Sequence, residues 1–195
     1  MQNCLFCDKE VLKNGLLYED KYFWIKIGIG IVAPGHILII TKQHFPCFAT
    51  APAELWEKYD KFVINVRKII KEKFGNFFEI EQGIYAQSIN HAHIHLIPLK
   101  TKDYDIKNIV KQILEPSKTK FEKTDFLNLK KIYNEEKQYV LIRKNKNLYA
   151  AHTSLMDSAD KSLDFRYFVN QIAGKSILPE HWKNMTEEDK KIDSK

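Results

Sequence analysis

The chain has 195 residues, of which 44% are hydrophobic, and a formal net charge of +6. This length and content allow one ample hydrophobic core with a substantial appendage, and they exclude a disordered chain. No run of about 18 apolar residues is present and the first residues lack a signal-peptide pattern, so we expect a cytoplasmic protein that does not enter the membrane.

The cysteines indicate a metal or redox function near the N-terminus. Three cysteines are too few for a disulfide scaffold. Cys4 and Cys7 form a Cys-x-x-Cys pair, which in a reducing compartment is typical of half a metal site or of a redox pair. Cys47 stands apart from them, and we expect it to be a small, partly buried, hydrophobic side chain.

Hydrophobic patterning predicts a meander of strands in the first half. Residues 16–18 and 22–27 are short predicted strands, and residues 36–41 form an apolar, β-branched run that is typical of a central strand. The glycine-containing loop at residues 28–35 is either a plain connector or a close approach of the backbone to a ligand.

A long amphipathic helix should cover this sheet. Apolar residues recur every three or four positions after Pro52, and Gly75 follows where a helix end is expected. Another strand is predicted at residues 77–80. We place the end of the first domain near residue 99, which gives two domains, at residues 1–99 and 100–195.

The second domain is predicted to be an α/β extension, in which a lysine-rich linker reaching about Thr124 follows the first helix. Three amphipathic helices are expected, at residues 106–113, 125–133 and 163–173. A hairpin is expected from residues 138–143 and 147–152.

Net charge also differs between the halves. Residues 1–99 hold 11 basic and 10 acidic side chains, whereas residues 100–195 hold 20 and 15. The basic excess suits an anionic ligand such as nucleic acid. Acidic residues alternate with these lysines, so we favour a solvated surface and keep RNA binding as an alternative.

The most informative stretch is Gln-Ser-Ile-Asn-His-Ala-His-Ile-His-Leu, at residues 87–96. Strict alternation of histidine with apolar residues predicts a half-buried strand, with His91, His93 and His95 on the face opposite the core. Alternate residues on one face are about 6.6 Å apart, so the outer two imidazoles should be about 13 Å apart. One metal ion cannot bind all three, and the histidines should therefore have different roles.

This strand resembles the defining motif of the histidine-triad superfamily, whose members cleave or transfer nucleoside phosphates through a covalent nucleotidyl-histidine. Two further segments agree with the resemblance. Residues 33–44, Ala-Pro-Gly-His-Ile-Leu-Ile-Ile-Thr-Lys-Gln-His, are similar to the family's Pro-Gly-His strand, and Gln87-Ser88 stands where the family has Gln-Ser or Gln-Thr. The likeness covers residues 4–99, about half of the chain.

The resemblance implies an α+β fold, with an antiparallel sheet of about five strands flanked by helices, commonly paired into a homodimer. It makes His93 the nucleophile, held by a backbone carbonyl and attacking the α-phosphorus. His95 and Ser88 would be catalytic groups that contact the phosphate or the leaving group, and Gln87 would help to bind the substrate. Many nucleoside-binding members carry an acidic residue in the loop where this chain has Gly28 and Gly30.

The resemblance also implies a metal site. Some members bind zinc with two cysteines and two histidines, and the matching residues here are Cys4, Cys7, His44 and His91. A structural zinc ion would explain the Cys-x-x-Cys pair. Two reduced thiols near a frayed N-terminus are the alternative. His36 is expected to be a hydrogen-bond donor at the start of a strand, not a ligand.

We therefore expect a hydrolase of nucleoside phosphoramidates, dinucleoside polyphosphates or related nucleotides, with structural zinc. Retention of His95 favours hydrolysis, because the resemblance places glutamine there in the transferase branch. A nucleotidyltransferase is the alternative enzyme. A nucleotide- or RNA-binding module without turnover and a zinc-held structural domain are the alternatives outside enzymes.

Overall fold

The computed structural model describes residues 4–28, 33–85, 87–99, 121–144 and 146–152. The helices expected at residues 106–113 and 163–173 lie outside these described residues. None of the helices in the described part of the chain is long and apolar enough to cross a bilayer.

The described residues form a single mixed sheet-and-helix arrangement in which all paired strands are antiparallel, as predicted. The strands are β1 (Leu16–Glu19), β2 (Phe23–Ile27), β3 (Ile37–Thr41), β4 (Phe77–Glu81), β5 (His93–Pro98), β6 (Phe121–Thr124), β7 (Val140–Lys144) and β8 (Asn147–Ala151). The predicted antiparallel sheet of about five strands is confirmed for residues 1–99, which contribute β1 to β5, and the extension adds three more to give eight among the described residues. The order in the sheet is β1-β2-β3-β5-β4-β7-β8-β6.

Three α-helices accompany the sheet: α1 (Lys9–Lys13), α2 (Ala53–Phe74) and α3 (Phe126–Glu136). Pro52 precedes α2, and Gly75 ends it with φ 86°, a left-handed value that glycine adopts without strain. The side chain of Asp125 caps α3 by accepting from the Asn128 amide at 2.8 Å. The sequence pattern predicted α2 and α3, but α1 is too short to show a period.

The central strands β3 and β5 separate two apolar clusters. Ala92, Ile94 and Leu96 join the main core, together with Trp56, Tyr59 and Val63 of α2. On the other face, Leu38 and Ile40 pack with Phe6 and Leu12 of the N-terminal segment. The predicted alternation is therefore confirmed for the apolar residues, and the histidine face is covered by the N-terminus.

The hairpin of the extension continues the same sheet. Strand β7 pairs with β4, and the Arg143 guanidinium contacts the Asp60 carboxylate of α2. The linker expected up to Thr124 is wrong for residues 121–124, because these residues form β6 and pair with β8. Charged residues along a short edge strand gave it the composition of a linker. The division into two domains stays a prediction, but the pairing of β7 with β4 joins their described parts in one sheet.

A buried carboxylate lies at this junction. Glu81 has no exposed surface; its side chain accepts from the Phe48 amide at 2.7 Å and from the Tyr139 hydroxyl at 2.6 Å. Burial raises the pKa of Glu81 to about 7, and the two hydrogen bonds oppose this shift only in part. The folded chain therefore holds this proton at a pH where the unfolded chain has released it.

We expect Glu81→Gln to stabilise the protein at high pH. Between the ordinary value of 4.5 and about 7 the folded state binds more protons at Glu81 than the unfolded state does, so stability falls as pH rises through this window. Glutamine mimics the protonated acid and removes this loss. Urea unfolding should show a gain of roughly 1–3 kcal/mol at pH 8 and little gain at pH 4.5. Glu72→Gln on the exposed face of α2 is the control; an equal gain at both pH values would contradict the assignment.

Candidate active and metal site

Strand pairing places two of the three motif histidines on one covered face. His93 lies opposite Ile40, and His95 lies opposite Leu38. Their ring centroids are 5.0 Å apart. The third residue, His91, precedes β5, which begins at His93. His91 therefore lies directly before the strand, and its ring turns toward the N-terminal cysteines.

The imidazole of His93 has a defined orientation. Its Nδ1 donates to the backbone carbonyl of His91 at 2.6 Å, as expected for a carbonyl partner. In a neutral ring this bond leaves the lone pair on Nε2, which is the arrangement that a nucleophilic imidazole needs. The ring is only 7% exposed, so the side chain is largely enclosed.

Gln87 supports the same carbonyl. Its Nε2 donates to the His91 carbonyl at 3.0 Å and lies 3.4 Å from Nδ1 of His93. Its Oε1 accepts from the Ile84 amide at 3.3 Å. Ile84 has φ 73°, an unfavourable conformation for a β-branched residue, and this kind of strain is concentrated at functional sites. Gln87 therefore lies beside His93, within a constrained turn.

His95 is paired with His36, which was expected to form a hydrogen bond at the start of a strand but had no predicted partner. The Nδ1 atom of His95 lies 2.9 Å from Nε2 of His36, and the two rings stack at 5.2 Å. His36 and His95 are 3% and 4% exposed. His36 precedes β3 and lies on the same face as Leu38, because the two residues are two positions apart. The β3–β5 register, which pairs Leu38 with His95, therefore brings His36 beside His95. The sequence does not contain that register.

Of the predicted site residues, Ser88 makes the fewest contacts with the others. It is exposed, in the loop between Gln87 and β5, and no described residue forms a hydrogen bond with its hydroxyl. Gly28 occupies the loop where the resemblance led us to look for an acidic residue. A Cβ at Gly28 would lie 2.7 Å from Nδ1 of His36, so the imidazole fills the space of any side chain there.

The four predicted metal ligands come together. The thiol sulfurs and imidazole nitrogens of Cys4, Cys7, His44 and His91 all lie within 4.8 Å of one another. Three sulfur–nitrogen distances are 3.4, 3.4 and 3.6 Å, and the two Nδ1 atoms are 3.2 Å apart. A tetrahedral zinc ion would separate such donors by about 3.6 Å and about 3.3 Å respectively. The donor set therefore fits a tetrahedral metal ion.

The hydrogen bonding and burial of His91 suit its ring for binding a metal ion. Its Nε2 donates to the Thr41 carbonyl at 2.7 Å, which leaves the Nδ1 lone pair directed at the cysteines. Burial lowers the pKa of His91 to about 4, so the ring is neutral. Desolvation and the adjacent Cys4 thiol raise the pKa of Cys7 to about 11. A metal ion bound here would displace that thiol proton.

Phe6 connects the metal cluster to the histidine face. It lies between the two cysteines of the Cys-x-x-Cys pair and is 1% exposed. Its ring packs edge-on against His91 at 5.9 Å and against His93 at 5.1 Å. The cluster thus holds the aromatic side chain that covers the candidate nucleophile. Sequence reasoning missed Phe6, because its position depends on the N-terminus folding back over the sheet.

Comparisons with known proteins relate the chain to one domain family. A sequence profile described as the HIT domain matches residues 9–102. Protein HitA of Neisseria gonorrhoeae is 31% identical over 105 residues, which are 50% of this chain and 96% of that protein. A solved structure of a hypothetical histidine triad nucleotide-binding protein from Sulfolobus tokodaii is 29% identical, with a TM-score of 0.46, and covers 53% of this chain and 74% of its own.

Two relatives carry the names of nucleotide hydrolases. Bis(5'-nucleosyl)-tetraphosphatase (asymmetrical) of Schizosaccharomyces pombe is 27% identical over 120 residues, which are 59% of this chain. Adenosine 5'-monophosphoramidase HNT1 of Saccharomyces cerevisiae is 31% identical over 97 residues, which are 49% of this chain. The matched regions span 65% and 61% of these two enzymes, so each is matched over less than two thirds of its length.

Proposed function

Because the chain belongs to the HIT family, we propose that it hydrolyses nucleotides at the α-phosphate, with His93 as the covalent nucleophile. The substrate would be a nucleoside phosphoramidate, a dinucleoside polyphosphate or a related nucleotide. The observation that carries the proposal is the 2.6 Å hydrogen bond from His93 Nδ1 to the His91 carbonyl, because it fixes the tautomer that presents Nε2.

The reaction has two displacements at phosphorus. The Nε2 lone pair of His93 forms a bond to the α-phosphorus, and the bond from phosphorus to the leaving amine or phosphate breaks with its electron pair. Water then attacks the phosphoramidate, the P–N bond breaks, and the nucleotide leaves with the imidazole restored. The His91 carbonyl accepts from Nδ1 throughout and stabilises the positive charge that develops on the ring.

The neighbouring side chains take the remaining roles. His95, oriented by His36 at 2.9 Å, would hold a phosphate oxygen or protonate the leaving group. Gln87 stands beside His93 and would bind the substrate as well as steady the carbonyl. Ser88 is exposed in the same loop, and its hydroxyl would donate to the phosphate or the leaving group.

The metal site would hold zinc through Cys4, Cys7, His44 and His91. Zinc there would supply structure: with its protein ligands filling all tetrahedral positions, the ion fastens the N-terminal segment to the loops before β5 and after β3. The His91 ring would bind the ion while its backbone carbonyl orients His93, so one residue serves both sites.

A homodimer and a location in the cytoplasm stay predictions. Strand β4 is paired with β7 within the chain. A homodimer that used the same edge of β4 as its interface would therefore have to displace β7.

The proposal is tested by trapping the intermediate. The protein is mixed with adenylyl and guanylyl phosphoramidates and with dinucleoside polyphosphates, quenched, and its intact mass measured. An acid-labile increase equal to one nucleotidyl group, mapped by peptide analysis to His93, is the expected result. Turnover without an adduct at any quench time, or an adduct mapped to another residue, would contradict the mechanism.

A further inference from the structure

Tyr139 is a buried side chain of the extension that contacts the loop before the histidine strand. It directly precedes β7 and has no exposed surface. Its hydroxyl donates to the Glu81 carboxylate at 2.6 Å and accepts from the Ala49 amide at 3.1 Å. These two bonds fix the hydroxyl end of the ring, so groups outside the loop set the orientation of Tyr139.

The ring and the backbone of Tyr139 both contact Gly83. The Tyr139 amide donates to the Gly83 carbonyl at 2.9 Å, and Tyr139 forms an isolated parallel bridge with Ile84. A Cβ on Gly83 would overlap the phenol ring, so the ring packs directly against the glycine backbone, an approach that glycine permits. Tyr139 therefore holds this loop through a hydrogen bond and through van der Waals contact.

Two hydrogen bonds connect this bridge to Gln87. The Gln87 amide donates to the Ile84 carbonyl at 3.2 Å, and the Ile84 amide donates to Oε1 of Gln87 at 3.3 Å. The second bond orients the side-chain amide of Gln87, whose Nε2 donates to the His91 carbonyl at 3.0 Å. That carbonyl accepts from Nδ1 of His93 at 2.6 Å. A continuous series of contacts therefore joins Tyr139 to the proposed nucleophile.

The backbone of Ile84 needs this support. Its φ of 73° is strained for a β-branched residue, and such a conformation persists only where neighbouring contacts enforce it. The bridge to Tyr139 supplies contacts on one side, and the bonds to Gln87 supply them on the other. Without the ring of Tyr139, Ile84 can relax to a negative φ, which turns its amide away from Oε1 of Gln87.

We propose that Tyr139 is a positioning residue for the active site, which acts through Gln87 to hold the His91 carbonyl against Nδ1 of His93. Its effect on turnover rests on the proposed function, whereas its effect on the His93 ring follows from the hydrogen bonds alone. The segment after residue 99 thus takes part in the chemistry without touching the substrate, because it supplies the residue that keeps the nucleophile in its reactive tautomer.

Kinetics of substituted chains separate positioning from stability. Tyr139→Leu removes the ring that packs on Gly83, and we expect kcat to fall by roughly 10- to 100-fold. Tyr139→Phe keeps that ring and should retain most of the kcat, although it loses the bond to Glu81. Leu148→Ala is the matched control: it opens a cavity in the main core within the same extension, and it should lower Tm but leave kcat unchanged at temperatures well below Tm.

A double-mutant cycle on kcat tests the route through Gln87. Gln87→Ala interrupts the series of contacts, so in that background Tyr139→Leu should lower kcat by less than about a further twofold. A general loss of stability would instead lower kcat by the same factor in both backgrounds. Equal factors in the two backgrounds, or a kcat of Tyr139→Leu equal to that of the unsubstituted chain, would overturn the positioning role.

The tautomer of His93 is read without substrate. In protein labelled with ¹⁵N-histidine, NMR should show the ring proton on Nδ1 in the unsubstituted chain and in Leu148→Ala, and a mixture of Nδ1–H and Nε2–H forms in Tyr139→Leu. If Tyr139→Leu does not fold, Gly83→Ala takes its place, because the added methyl group displaces the ring from the loop.

This spectrum also separates the positioning role from the proposed function. If no nucleotidyl adduct forms on His93, the proposed function fails, yet the tautomer of His93 still reports on Tyr139. A His93 ring that keeps its proton on Nδ1 in the substituted chain would reject the role of Tyr139, whether or not the protein turns over nucleotides.

Discussion

Replacement of His93 by alanine is expected to lower turnover by roughly 10⁴-fold or more and to abolish the nucleotidyl adduct, because the variant lacks the atom that bonds to phosphorus. A neighbouring histidine cannot take over: the Nδ1 of His95 is engaged with His36, and His91 turns its ring toward the cysteines. The measurement is initial rate on the best substrate of the panel, with intact mass on the same samples.

Two further variants keep this test specific for the nucleophile. His93→Gln retains a polar side chain of similar reach against Phe6 and should remain folded yet inactive. His152→Ala removes a histidine whose partners are Glu122 of the edge strand β6 and Glu136 of α3, and should leave the rate unchanged. Imidazole added to His93→Ala should restore part of the turnover if a ring nitrogen is the missing group. Full activity in His93→Ala would eliminate the mechanism.

The sequence was most informative where local chemistry and spacing suffice. Alternation of histidine with apolar residues predicted the two faces of β5, and Cys4, Cys7, His44 and His91 were identified as a ligand set that the structure brings together. The faces of β5 needed only residue type and the period of a strand, whereas the ligand set came from the resemblance to the histidine-triad superfamily.

The parts that the sequence did not predict depend on contacts between distant segments. His36 joins His95 only through the β3–β5 register, and Phe6 reaches His93 because the N-terminal segment folds back over the sheet. The alternation placed the imidazoles on the face opposite the core, yet that face is covered as well, and His93 is 7% exposed. A cleft of ≈ 160 Å³ lies beside Glu81 and Arg143.

Enclosure of His93 makes the N-terminal segment relevant to activity. Phe6 packs on the ring and is held between two cysteines that, in the proposed zinc site, are ligands. Substrate must therefore reach Nε2 past side chains whose position depends on the metal cluster. Loss of the cluster should alter both stability and the accessibility of His93.

Removal of zinc, by a chelator or by Cys4→Ser, is expected to lower the free energy of unfolding by about 4 kcal/mol, a Tm decrease of roughly 10 °C, because the ion binds the folded state and closes the N-terminal segment onto the sheet. Metal analysis should give one zinc ion per untreated chain. Release of Phe6 should also raise the rate at which diethyl pyrocarbonate acylates His93, read by peptide mass spectrometry.

The control for this experiment is Cys47→Ala, which removes a buried thiol of the main core that is not among the four predicted ligands and should leave both the zinc content and the acylation rate of His93 unchanged. Phe6→Ala separates the two consequences of metal loss: it should expose His93 to acylation while the zinc ion stays bound. If chelation leaves Tm and acylation as they were, the cluster does not hold the N-terminal segment. The ring of Phe6 must then be held by its apolar contacts with Leu12, Leu38 and Ile40 alone.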